Sequence, residues 1–268
     1  MKRAFLFMAL VMVAGTVYGQ MQDNRGPQLS CDNNNRSDRA RSCEIRESNL
    51  GPSGSLEIEP GHNGGISVRG WSQNSVQVRA RVETWAPTDA DARTLSSQVR
   101  VDTGGGLIRA TGPETNGLRD SGWAVSLEVF APWSTNLKME SHNGGITVSD
   151  IRGRIAFQTH NGGVHLTRIA GDVSGETHNG GIQAELQGNT WEGGQLELNT
   201  YNGGITLSMP ASYSASLQAR TARGNVSSDF PINVRGQIAP SDLNFNIGAG
   251  GPLIKVSTHN GAIRLKSM

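Results

Sequence analysis

The 268-residue chain has little of what many secreted or catalytic proteins display. It holds two cysteines, Cys31 and Cys43, too few for a scaffold stapled by several bridges. Formal charge is nearly balanced, 24 basic against 23 acidic residues, or 22 against 23 without Lys2 and Arg3. That balance leaves no electrostatic footprint for nucleic acid, and no basic cluster of the kind that binds anionic lipid. Beyond the first residues no apolar run is long enough to span a bilayer. Gly-x-Ser-x-Gly, a Walker loop and His-Glu-x-x-His are all missing. The loop 248–251, Gly-Ala-Gly-Gly, lacks the Lys and Ser/Thr of a phosphate site and reads as a turn between strands. Neither an enzyme active site nor a cofactor is therefore expected.

What is present begins with Lys2 and Arg3, followed by an apolar run from Ala4 to Ala14 and small residues up to Gly19. This order marks residues 1–19 as a secretory signal peptide cut before Gln20. Cys31 and Cys43 flank an Asn/Ser/Arg-rich stretch. In an exported chain an isolated even pair reads as a structural disulfide, closing a short loop. Residues 20–48 are expected to form a polar, mobile segment around that bridge, and 49–268 a β-repeat domain.

Glycine is abundant, 35 residues, and aromatics make up 5%. This suits a chain of many tight turns and not a helical one, since each helical glycine costs about 1 kcal/mol. One pentad recurs: His62-Asn63-Gly64, His142-Asn143-Gly144, His160-Asn161-Gly162, His178-Asn179-Gly180, Tyr201-Asn202-Gly203 and His259-Asn260-Gly261, each continued by Gly or Ala and then Ile or Val. A degraded copy starts at Arg223. Spacings of 18, 18 and 23 residues separate the four copies from His142 to Tyr201. Five of the six histidines lie in the motif.

The flanks alternate with period two: Ile155, Phe157 and Thr159 before one copy, Val164 and Leu166 after it, and Val173, Gly175 and Thr177 before the next. Such alternation means strands with one buried face. Asn-Gly-Gly between strands is expected to need positive φ. Two all-β architectures meet these signals. One is a β-solenoid of about 18–23-residue coils, with the pentad as a stacked corner and its Asn side chains bonding along the axis. The other is an antiparallel meander or sandwich of hairpins with Asn-Gly turns. Like turns at near-constant spacing favour the solenoid. One short helix is expected near 88–99, capped by Thr88 with Asp91 three residues on, and carrying Ala92, Leu95 and Val99 as its apolar stripe.

Stacking would place His142, His160 and His178 in one column at about the 4.8 Å strand spacing. They are the residues this sequence offers to zinc or copper, or to a response below pH ~6.5. No carboxylate or cysteine accompanies them in the motif, and Tyr201 and Arg223 are read at equivalent places, so no metal is expected. Glu140 and Glu176 should lie two coils apart on the polar face with Gln158 between them and no basic partner, which reads as a solvated face and not a glycosidase pair. Most of the five tryptophans should be buried. Trp191, in a glycine-rich turn, is the one expected at the surface.

Cys43-Glu44-Ile45-Arg46-Glu47, the stretch from His62 to Trp71, the helix after Trp85, the pentads at 142, 160 and 178 and the segment 251–263 together resemble a bacterial family. Its members are exported or membrane-attached β-strand-repeat proteins provisionally labelled adhesins. The resemblance spans about residues 43–268 and implies a β-solenoid-like fold and a place outside the cytoplasm. The expected function is thus a non-enzymatic envelope protein, periplasmic or at the cell surface, serving as adhesin or scaffold toward an envelope glycan or protein. A metal- or pH-responsive module is the second reading, and a carbohydrate-active enzyme the third.

Overall fold

The computed structural model describes residues 29–31, 39–115, 117–118, 120–231 and 241–268. The expected signal peptide lies outside the described residues. The described residues are all-β with one helix. The strands are β1 (Ala40–Leu50), β2 (Ser55–Glu59), β3 (Ile66–Trp71) and β4 (Val76–Ala86), then helix α1 (Asp89–Gln98), then β5 (Arg100–Gly104), β6 (Leu107–Thr111) and β7 (Gly122–Pro132). The repeats follow as β8 (Asn136–Asn143), β9 (Ile146–Ser149), β10 (Arg152–Asn161), β11 (Val164–Thr167), β12 (Ala170–Asn179), β13 (Ile182–Glu185), β14 (Leu196–Asn202) and β15 (Ile205–Met209). The chain closes with β16 (Ala215–Arg223), β17 (Val226–Ser228), β18 (Asp242–Ile247), β19 (Leu253–Asn260) and β20 (Ile263–Ser267).

These strands form two ten-stranded mixed sheets, ordered β1-β4-β7-β3-β9-β11-β13-β15-β20-β17 and β18-β16-β19-β14-β12-β10-β8-β2-β6-β5. Each repeat gives one strand to each sheet and pairs in parallel with the next repeat, Phe157 opposite Gly175 and Leu166 opposite Ala184. Antiparallel pairing is confined to β1–β4, β4–β7, β5–β6 and β16–β18, so the hairpin meander is not what joins the pentads.

The two inward rows make one core. Leu137, Ile155, Val173, Leu196 and Ile254 face Val148, Leu166, Ala184, Leu207 and Leu265, all nearly without exposure. Burying an aliphatic side chain of this size is worth about 1.5–3 kcal/mol relative to exposure, and the period-two pattern repeats that gain along the stack. Gly175 is the odd member of its row: a Cβ there would lie 2.4 Å from the Phe157 ring, so the glycine makes room for that ring one coil away.

Chain order and stack order differ. The final segment, β19 and β20, sits between the coil of β14 and β15 and the coil of β16 and β17. At the other end, β2 and β3 stack directly on β8 and β9 although the helix and four strands intervene in sequence. Strand β1 also crosses the expected boundary at residue 49, pairing over its whole length from Ala40↔Ala86 to Leu50↔Val76.

The helix is capped as expected, with the Thr88 hydroxyl accepting from the Asp91 N–H. It buries Ala92, Leu95 and Ser96 and packs on β1 and β4. At its far end the Arg46 guanidinium donates to the carbonyls of Val99 (2.6 Å) and of Ser96 (2.9 Å), the latter also accepting the Val99 N–H. Cys31 and Cys43 are bonded, Cα atoms 5.7 Å apart, tying the segment before β1 to that strand. Among the described residues no helix is long and apolar enough to cross a membrane.

Candidate functional site: a ring-lined trough along the repeats

The pentads stack into three parallel files. In the first, Asn side chains form a ladder: Asn143 Nδ2 donates to Asn63 Oδ1 (3.0 Å), Asn161 to Asn143 (2.8 Å), Asn179 to Asn161 (2.8 Å), Asn202 to Asn179 (2.9 Å) and Asn260 to Asn202 (2.7 Å). In the second, a hydroxyl two residues before each Asn donates to a pentad glycine carbonyl one coil away. Thr159 bonds Gly144, Thr177 bonds Gly162, Thr200 bonds Gly180 and Thr258 bonds Gly203, at 2.8–2.9 Å. These threonines are buried, so each hydroxyl needs such a partner.

The third file is a stack of rings. His62 and His142 lie 4.3 Å apart between centroids, His142 and His160 4.9 Å, and His160 and His178 4.8 Å. His178 and Tyr201 follow at 4.9 Å and Tyr201 and His259 at 4.6 Å. From His142 onward the planes are within 5° of parallel. The expected three-histidine column is therefore a six-ring column, closed at both ends by segments far away in sequence. Nothing in the spacing of His62 or His259 announced their place, because 80 and 58 residues separate them from their neighbours His142 and Tyr201.

Two expectations about the motif need correction. The first glycine is required by crowding and not by positive φ: a Cβ on Gly144 would lie 2.0 Å from the Gly64 carbonyl oxygen, with 2.1 Å at Gly162 and 2.0 Å at Gly180, Gly203 and Gly261. Among the motif glycines only Gly64 has positive φ, +141°. Second, Arg223 stands opposite Asn260 and not opposite a ring. Ala222 therefore follows His259 in the ring file, which ends there.

Along the same sheet face, two residues before the rings, runs a polar row of Glu140, Gln158, Glu176, Asn199 and Ser257, in register across the coils. The rings, this row and the hydroxyl file enclose a trough of about 940 Å³. Its carboxylates are engaged: Glu59 with Arg109 (2.7 Å), Glu140 with Lys138 (3.1 Å) and Glu176 with the Gln158 amide (2.9 Å). Lys138 is the basic partner that the sequence was expected to lack. Glu140 and Glu176 do lie two coils apart with Gln158 between them.

Burial first, and then the charges that would appear on His62 and His160, hold the His142 pKa below its ordinary value. Imidazole lone pairs lie in the ring plane, and parallel planes keep them from converging on one point at about 2.0–2.1 Å, as zinc needs. No group of three or more His, Cys, Asp or Glu side chains suited to a metal occurs among the described residues. Trp191 is buried, 3% exposed, and Trp133 is the exposed tryptophan, at 53%. Trp191 follows β13 and belongs to the buried core cluster.

The Toastrack DUF4097 family profile matches residues 53–266. Among solved structures, similar ones include a putative cell adhesion protein from Clostridium sporogenes, 11% identical, covering 85% of this chain and 100% of that one at a TM-score of 0.43. A putative adhesin from Bacteroides fragilis is 9% identical and covers 85% and 97% at 0.44. A putative lipid binding protein from Parabacteroides distasonis is 9% identical and covers 83% and 96% at 0.28. No curated protein matches the chain.

Proposed function

This chain belongs to the Toastrack DUF4097 family, and from that premise we propose that it is a non-enzymatic, exported β-solenoid that makes contact through its repeat face, as adhesin or scaffold of the cell envelope. The observation that carries this reading is the six-ring column lining a continuous trough. The three files fix the backbone of every corner, so the trough needs no ordering on binding, and little conformational entropy is lost there. Among the described residues no hydrogen-bond partner engages the five imidazoles or the Tyr201 hydroxyl. Their polar edges remain available to a ligand along the stack. The engaged carboxylates support contact over catalysis, because a hydrolytic pair needs one carboxyl free to hold or deliver a proton. The disulfide and the charged start of the chain support export.

The test is binding of the labelled protein to isolated envelope fractions, with and without chelator. Saturable binding that survives chelation, and weakens about tenfold in the H160A/Y201A double variant, is the expected result. Binding to no fraction overturns the reading. Binding lost with chelator replaces it with a metal-dependent module.

A further inference from the structure

We propose that a second pocket, at the opposite corner of the coils and beside Trp133, binds a neutral saccharide. It encloses about 630 Å³ and is lined by Trp133, Asp150, Arg152, Arg168, Trp191 and Glu192 among others. That volume falls within the ~300–1,000 Å³ of small-molecule sites. This site is separate from the ring-lined trough and does not depend on it.

Trp133 lies in the turn between β7 and β8 with about half its surface exposed. Trp71 and Trp123 donate their indole N–H groups to backbone carbonyls, while Trp133 has no such partner among the described residues. An exposed indole is a flat apolar platform with a polar edge. Its seat is shared with the backbone of Asp150: a Cβ on Gly70 would lie 1.8 Å from the Asp150 carbonyl oxygen and 2.8 Å from Trp133 Cδ1, so the glycine leaves room for both. The Arg152 N–H donates to the Trp133 carbonyl at 2.6 Å, tying platform and wall together.

The polar wall consists of two ion pairs, Arg168 with Asp150 (2.6 and 2.7 Å) and Arg152 with Glu192 (2.7 Å). Two guanidinium groups and two carboxylates cancel, so the wall carries no net charge to select an ionic ligand. What it offers is planar donors and acceptors in fixed orientation, the complement of vicinal hydroxyls, which donate and accept at once. Asp150 and Arg168 hold this geometry with left-handed backbones, φ +59° and +52°. Such conformations cost energy and concentrate at binding sites. Trp191, 3% exposed, also lines the pocket and backs it with the core. A peptide strand is the poorer occupant: β10, β11 and β12 are each paired on both sides, leaving no free edge to extend.

The experiment is saturation-transfer NMR and tryptophan-emission titration of the protein with neutral mono- and disaccharides of gluco, galacto, manno and N-acetylhexosamine type. Hexosamines and uronic acids are the charged counterparts. At least one neutral sugar should bind saturably. W133A should weaken it at least about tenfold, W133Y should retain part of the affinity, and E192Q should weaken it through the broken pair. H160A/Y201A should leave it unchanged. Trp133 is exposed, so W133A should melt with the wild type. The proposal is overturned if no neutral sugar binds, if charged sugars bind in preference, or if W133A binds as the wild type does.

Discussion

His160 and His178 are eighteen residues apart in the chain and face each other as parallel rings, 4.8 Å between centroids and 3° between planes. Their backbones are neighbouring, parallel-paired strands of one sheet, so every outward side chain finds its counterpart one strand spacing away. The same translation makes one substitution matter differently in each file.

In the glycine file, G162A places a methyl group where the Gly144 carbonyl oxygen lies 2.1 Å away. The strand must shift, and overpacking of this kind costs about 1–3 kcal/mol. G163A meets its nearest neighbour, the Gly181 oxygen, at 3.6 Å, and the final coil already carries Ala262 at that position. Urea denaturation should show G162A clearly destabilised and G163A within about 0.5 kcal/mol of the parent. Equal losses would remove the crowding explanation.

Asn161 both donates to Asn143 and accepts from Asn179, whereas Asn260 donates to Asn202 at one end of the ladder. Each such bond contributes about 0.5–1.5 kcal/mol net. N161A should therefore cost more stability than N260A by about one bond, measured by thermal unfolding of the two variants side by side. The reverse ranking would contradict the ladder.

Protonation should loosen the ring file. His142 has its pKa lowered, by burial and by His62 and His160 on either side, while Glu140 and Lys138 lie on the same strand and are paired with each other. A depressed folded-state pKa means the unfolded chain binds the proton more tightly. The stability from a neutral His142 is complete above the unfolded value of about 6.5 and is lost as pH falls through it and below. The carboxylates whose pKa is lowered, Glu44 and Glu57, start from an ordinary value of 4.5 and titrate in a more acidic window. Denaturation midpoints should fall between about pH 7.5 and 5.5, with a smaller fall in H142Q. A midpoint unchanged over that range would exclude the effect.

The Cys31–Cys43 bridge closes a short loop, for which chain entropy gives about 3 kcal/mol. Reduction, or the C31A/C43A pair, should lower the melting temperature by a corresponding amount and leave the β-sheet circular dichroism of the folded state in place. Loss of all sheet signal at room temperature would mean that β1 depends on the bridge.

What one residue and its near neighbours decide was legible from the sequence. Alternation around Ile155 and Phe157 set which side chains face inward, because a strand has period two. Thr88 and Asp91 marked the start of the helix, because a helix leaves its first N–H groups open. The Asn ladder followed from like turns at like spacing. The glycines were legible as necessary but not for the right reason: φ is a local property, while the crowding at Gly162 comes from Gly144 in another coil. Trp191 was misplaced because a turn by composition can still be the plug of a core.

Only the tertiary structure decided the order of the stack. Coils with the same pentad and the same buried row are nearly interchangeable as neighbours, so local pattern cannot rank the pairings. By sequence either later copy could follow the coil of Tyr201, yet it is the copy with His259 that does, because β16 takes antiparallel β18 on its other edge and leaves β19 and β20 between. That choice rests on how whole edges are covered, a long-range term that depends on many strands at once.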